Sequence, residues 1–182
     1  MSKIGETPVH IKQGVNVTIT DSAVTVKGQE GEVSVPLPKR ITVKEDNGDL
    51  KVERKSDESK VKAMHGLVRA LLNNAVIGVV RPWTKTLKIV GTGYRVKDAG
   101  ESLIFEVGYS HSVEFKKPKG ANVVVKGSNV VTVSGVDRQE VGEVAYKIRS
   151  IKRPDAYKGK GIQYEGEILR LKPGKKAATA SE

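Results

Sequence analysis

The sequence predicts an α+β fold of two tandem, duplicated domains, 1–81 and 82–182, each an antiparallel β-sheet packed with one α-helix. Three observations predict it. Period-two runs of valine and isoleucine mark strands in each half, and one amphipathic stripe closes each half as a helix. A register shift of 80 residues then brings Pro38-Lys39 onto Pro118-Lys119, Asp57 onto Asp137, Val61 onto Val141 and Arg69 onto Arg149.

In the first copy, Val15, Val17 and Ile19 alternate with Asn16 and Thr18, and Val24 and Val26 alternate with Thr25 and Lys27. That is the pattern of strands with one buried face, with Asp21-Ser22 as the turn between them. Ile41–Lys44 and Leu50–Glu53 flank Asp46-Asn47-Gly48-Asp49, where Asn-Gly supplies the positive φ angles of a tight hairpin. Val61, Met64, Val68, Leu71, Leu72 and Ala75 then recur at three- and four-residue steps, which predicts a helix over 59–76.

In the second copy, Leu87–Val90 and Leu103–Val107 are expected to take the parts of the first strand pair, with Lys97-Asp98-Ala99-Gly100 between them as turn chemistry. Val123–Val125 and Val130–Val133 flank Gly127-Ser128-Asn129 as the second pair. Val141, Val144, Ala145, Ile148 and Ile151 form the helical stripe. Asp137 with Glu140 three residues on makes a capping box, Val136 is placed to staple onto Val141, and Pro154 stops the helix. The join falls at 78–83, where Arg81-Pro82 breaks the pattern.

Composition narrows the function. There is no cysteine, so disulfides and thiolate metal sites are excluded, in keeping with a reducing compartment. Ala75–Val80, the longest apolar patch, is far below the roughly 20 residues that span a bilayer, so a soluble, uncleaved chain with no membrane partner is expected. His10, His65 and His111 lie in separate segments without partners at metal-ligand spacing, so no metal is expected. His65 reads as a packing residue, and His111 reads either as a contact to a partner or as a hydrogen-bonded turn residue.

Gly91-Thr92-Gly93 is followed by a strand, whereas a dinucleotide fingerprint opens a helix, and Lys158-Gly159-Lys160-Gly161 lacks the spacing of a phosphate loop. No nucleophile stands beside a recognisable base. Neither a cofactor nor a small-molecule substrate is expected, and the chain does not read as an enzyme.

Charge supplies the positive signal. The 32 Lys and Arg outnumber the 21 Asp and Glu, and the excess is uneven. Residues 1–81 hold 13 basic and 10 acidic side chains, whereas 147–176 alone hold 10 and 3. A localised excess of that kind is an electrostatic footprint for a polyanion. It lies in a segment, 153–176, laced with glycine and carrying Tyr157 and Tyr164. Cations neutralise phosphates, glycine allows close backbone approach, and tyrosine faces stack on exposed bases. RNA is favoured over DNA because no helix carries the basic and amide run of a major-groove reader. Gly91-Thr92-Gly93-Tyr94-Arg95 reads as a second contact, with Tyr94 divided between core and surface roles and Arg95 facing a partner.

These segments carry a resemblance. Met1-Ser2-Lys3-Ile4-Gly5, His65-Gly66-Leu67-Val68-Arg69, Gly91–Arg95, Gly108-Tyr109-Ser110-His111 and above all 153–162 resemble bacterial protein six of the large ribosomal subunit, the universal L6 family, over nearly the whole chain. Ala156, Ser112, Gln163 and Arg81-Pro82-Trp83 depart from the usual family pattern.

The resemblance implies a structural protein of the large subunit, in the cytoplasm, that binds 23S ribosomal RNA. It also implies a place near the stalk base, beside neighbouring ribosomal proteins and docking translation factors. The residues assigned to RNA are Arg69, Tyr94, Arg95, Lys97, Lys152, Arg153, Tyr157, Lys158, Gly159, Lys160, Gly161, Lys172, Lys175 and Lys176. A free-standing RNA chaperone and an RNA-modifying enzyme are the competing classes.

Overall fold

The computed structural model describes residues 3–174; Lys175 and Lys176 of the assigned set lie outside them. The chain forms two compact units, Met1–Trp83 with Ser134–Val141, and Thr84–Val133 with Gly142–Glu182.

The first unit contains α1 (Lys3–Glu6), β1 (Val9–His10), β2 (Asn16–Ile19), β3 (Ala23–Lys27), β4 (Glu32–Pro36), β5 (Ile41–Asp46), β6 (Asp49–Arg54) and α2 (Ser59–Gly78). Its strands make two antiparallel sheets, ordered β2-β3-β4 and β1-β6-β5. In the first sheet Val24 faces Val35 and Val26 faces Val33, so alternate positions of the central strand bury valines. The hairpin turn at Asn47 (φ 52°) and Gly48 (φ 83°) has the two positive φ angles that Asn-Gly accommodates.

The stripe Val61, His65, Val68, Leu72, Ala75 and Val76 of α2 is buried on a core that includes Val9, Leu50 and Val79. His65 is held there by both ring nitrogens. Nε2 lies 2.8 Å from the Val52 carbonyl and Nδ1 lies 3.2 Å from Arg54 Nη1, which places the ring proton on Nε2 as donor. The helix runs two residues past the predicted end, to Gly78, where a Cβ would meet the Val136 carbonyl oxygen at 2.1 Å.

The second unit draws on β7 (Trp83–Val90) from Thr84 on, β8 (Arg95–Asp98), β9 (Ser102–Glu106), β10 (Val113–Lys116), β11 (Asn122–Lys126), β12 (Val130–Gly135) as far as Val133, α3 (Arg138–Ile151) from Gly142 on, and β13 (Gly161–Tyr164). Its sheets are ordered β10-β9-β8 and β11-β12-β7-β13. The first repeats β2-β3-β4, and the second repeats β1-β6-β5 with one strand added. The duplication is therefore a repeat of topology, and β13 is the strand that the first copy lacks. Phe105, Leu103, Val131, Val133, Ala145, Ile148 and Ile162 are buried in this unit.

Two expectations change. Leu87–Val90 and Leu103–Val107 are not partners, because β7 belongs to the sheet of β12 and β13, while β9 pairs with β8 through the turn at Ala99-Gly100. The strand that precedes this turn is β8, one element later in the chain than the strand that holds Leu87–Val90.

The capping box expected between Asp137 and Glu140 does not form at the start of α3: the Asp137 carboxylate accepts instead from the Gln139 N–H at 2.7 Å, and Val136 packs on the core of the first unit. Four residues of the glycine-rich stretch form β13, with Ile162 fully buried opposite Ile89.

Candidate nucleic-acid interface

Attachment of β13 to β7 decides how the basic segment is presented. Ile162 N–H donates to the Lys152 carbonyl at 2.8 Å, and Asp155 N–H donates to the Lys160 carbonyl at 2.9 Å. The six residues 155–160 are thus pinched into a closed loop between the end of α3 and the start of β13. Asp155 organises its inside. One carboxylate oxygen accepts from the Lys158 N–H at 2.9 Å and the Tyr157 N–H at 3.2 Å, an Asx turn that bends the chain outward. Those backbone donors, Lys158 first, hold the Asp155 carboxyl below its usual range.

The loop turns two side chains to solvent. Tyr157 is 58% exposed, large for an aromatic residue, and no ring stacks on it among the described residues. The Lys158 ammonium makes no ion pair or hydrogen bond among the described residues. Its neighbour Lys160 reaches Thr92 Oγ1 at 3.5 Å, a long contact that leaves most of its donor capacity free.

The close approach expected at Gly159 and Gly161 is made within the chain. Gly161, at φ 148°, sits where a Cβ would meet the Arg153 carbonyl oxygen and the Pro154 Cα, each at 2.7 Å. Gly159, at φ 67°, is buried beside Leu169 and Leu171. Both glycines shape the loop, and the surface belongs to its side chains.

Segment 165–172, after β13, folds back beneath the loop. Lys172 N–H donates to the Ala156 carbonyl at 2.8 Å, leaving the Lys172 side chain exposed. Arg149 on α3 grips Glu167 with two bonds, of 2.6 and 3.3 Å, and its guanidinium lies 5.4 Å from the Tyr164 ring centre. The Tyr164 N–H also donates to Glu167, at 3.0 Å. Arg149 holds the Glu167 carboxyl below the usual range. This latch fixes β13 against α3.

Next to the loop, Lys152 and Arg153 are engaged with aromatic side chains. The Lys152 ammonium stands 4.4 Å from the centre of the Tyr109 ring, whose hydroxyl donates to the Ile151 carbonyl at 2.8 Å. His111 stacks on that same tyrosine at 6.2 Å. Arg153 reaches the Tyr146 hydroxyl at 3.2 Å. Tyr109 and Tyr146, both about half exposed, were missed as candidates. Tyr146 was legible, because the buried positions Val144, Ala145 and Ile148 place it on the opposite face of α3. Tyr109 becomes a candidate only through Lys152.

The remaining assigned residues sit apart from this cluster or are occupied. Tyr94 is half-buried, and its ring covers Gly91 and Gly108, where added Cβ atoms would overlap it at 2.6 and 2.9 Å. Arg95 and Lys97 both pair with Glu106, Lys97 at 2.9 Å, and together they depress the Glu106 carboxyl, Lys97 the more strongly. Arg69 donates to the carbonyls of Thr7 at 3.1 Å and Pro8 at 3.4 Å, which ties the start of the chain to α2.

The arrangement suits a polyanion with exposed bases or sugars, since it combines unneutralised cations, flat rings and a backbone already ordered. No group of three or more His, Asp or Glu among the described residues is placed to hold a metal ion. No described helix is long and apolar enough to cross a membrane.

Comparison with known proteins gives a consistent picture. The family model described as ribosomal protein L6 matches twice, over residues 11–81 and 90–165. Proteins described as large ribosomal subunit protein uL6 align over almost the full length. That of Rubrobacter xylanophilus is 46% identical over 175 residues, covering 96% of this chain and 99% of the relative. Those of Thermoanaerobacter sp. and Halalkalibacterium halodurans are 45% and 46% identical, each covering 96% of this chain and 98% of the relative.

Proposed function

Because the chain belongs to the ribosomal protein L6 family, a family of structural large-subunit proteins and not of enzymes, we propose that its second unit anchors it to 23S ribosomal RNA through the 155–160 loop. It acts in the cytoplasm, within the ribosome. The observation that carries the RNA assignment is the loop itself: Asp155 holds the backbone in place, so Tyr157 and Lys158, whose ammonium has no ion pair among the described residues, are presented without further ordering.

Lys158, Lys160, Lys152, Arg153 and Lys172 neutralise phosphates in this reading, and Tyr157, Tyr109 and Tyr146 cover sugar or base faces. Lys175 and Lys176 extend the charge along the sequence. The same reading places the protein near the stalk base, beside neighbouring large-subunit proteins and within reach of translation factors.

The test is a filter-binding titration of the full chain on 23S RNA across salt concentrations, with Lys158 and Lys160 both changed to alanine. Two lost phosphate contacts reduce the log–log salt slope by about 1.4 on single-stranded RNA. A slope unchanged by the double substitution removes the loop from the interface. Crosslinking of intact large subunits, with mapping of the RNA joined to Lys158, tests the location.

A further inference from the structure

The first unit carries a groove of about 360 Å³ whose chemistry differs from that of the basic tail. Its floor is apolar, formed by Ile41, Val61 and Met64, and its rim carries Lys39 and Lys60. Among the described residues neither rim ammonium has an ion pair or hydrogen bond, whereas Arg40 beside them is already neutralised by Glu58 at 2.6 Å. The groove therefore offers two free positive charges flanking an apolar slot.

The helix extends that slot. Besides the buried stripe, α2 carries Met64, Leu67 and Leu71 at three- and four-residue steps, which puts them on one face. Leu71 packs on the core, while Met64 and Leu67 remain 44% and 55% exposed. Two adjoining large apolar side chains left open beside a groove mark an interaction surface more than a solvated one. A thioether at the centre adapts to the shape of what enters.

We propose that this groove docks an acidic amphipathic helix from another protein, its apolar side chains on Met64 and Leu67 and its carboxylates on Lys39 and Lys60. RNA fits the rim and not the floor, since phosphates and sugars gain nothing from Met64 and Leu67. A second copy of the chain fits the floor and not the rim, because a symmetric contact would set Lys39 and Lys60 against the same two lysines. A helix bearing both acidic and apolar residues satisfies both parts, in the helix-in-groove mode.

The probe is a dye-labelled helical peptide with leucines at i, i+3, i+4 and i+7 and glutamates elsewhere, titrated by fluorescence anisotropy against the full chain. Saturable binding is expected, weakened about tenfold by Met64→Ala, which corresponds to ~1.4 kcal/mol, and more than tenfold by Lys39→Glu with Lys60→Glu. Lys158→Ala with Lys160→Ala should leave it unchanged, which separates the groove from general attraction to the basic tail. Circular dichroism of each variant confirms that the exposed substitutions leave the fold intact. Absence of saturable binding overturns the proposal. So does equal binding by the groove variants, displacement of the probe by polyuridylate without loss in the tail variant, or self-association of the chain that the groove variants abolish.

Discussion

Replacing Gly161 with alanine puts a methyl group into space already filled by backbone. An ideal Cβ lies 2.7 Å from both the Arg153 carbonyl oxygen and the Pro154 Cα. Neither atom has a rotamer to change, so relief requires β13 to move away from the end of α3. Overpacking of that kind costs about 1–3 kcal/mol.

Residue 161 also holds φ 148°, and a side chain in such sparsely populated backbone costs about 1–3 kcal/mol. One backbone shift relieves both in part, so the combined effect is about 2–4 kcal/mol. The bonds that open are Ile162 N–H to the Lys152 carbonyl and Asp155 N–H to the Lys160 carbonyl, now 2.8 and 2.9 Å. These two close the 155–160 loop.

Native-state hydrogen exchange reads this directly. At 1.4 kcal/mol per factor of ten, the Ile162 amide should exchange about 30- to 700-fold faster in Gly161→Ala, while amides of β3 and β6 in the first unit keep their rates. An acceleration below about threefold at Ile162, or an equal one in the first unit, would refute the reasoning that this glycine closes the loop.

Two further outcomes follow from the same geometry. His65→Ala leaves a cavity under α2 and removes the partner of the Val52 carbonyl, so a loss of about 2–4 kcal/mol in urea unfolding of the first unit, followed through Trp83, is expected. Glu167 has its folded pKa held below the ordinary 4.5 by Arg149. Its contribution is present above that pH and disappears as pH falls through the lower folded value. Glu167→Gln should therefore flatten the fall in thermal midpoint below about pH 4.5 and leave its pH dependence near neutrality unchanged.

Much of this protein is written locally. The valine alternations of β3 and β6, the Asn47-Gly48 turn and the stripes of α2 and α3 are each properties of ten or twenty consecutive residues, and they appear where their periods put them. The concentration of cations after residue 147 is likewise a matter of composition, and it pointed to a polyanion before any element was placed. Family membership was also legible, because the match covers both repeats.

Other features come from segments far apart in the chain. Nothing in Trp83–Val90 or Gly161–Tyr164 alone says that the two pair, and that pairing turns a glycine-rich stretch into an anchored loop. The assigned residues divided for the same reason. The Lys158 ammonium has no ion pair or hydrogen bond among the described residues, whereas Arg95 and Lys97 meet Glu106 across a hairpin and Arg69 meets the carbonyls of Thr7 and Pro8 about sixty positions away. A charge is a property of one residue. Its availability depends on what the rest of the chain brings within a few ångströms of it, and only the packed structure sets those distances.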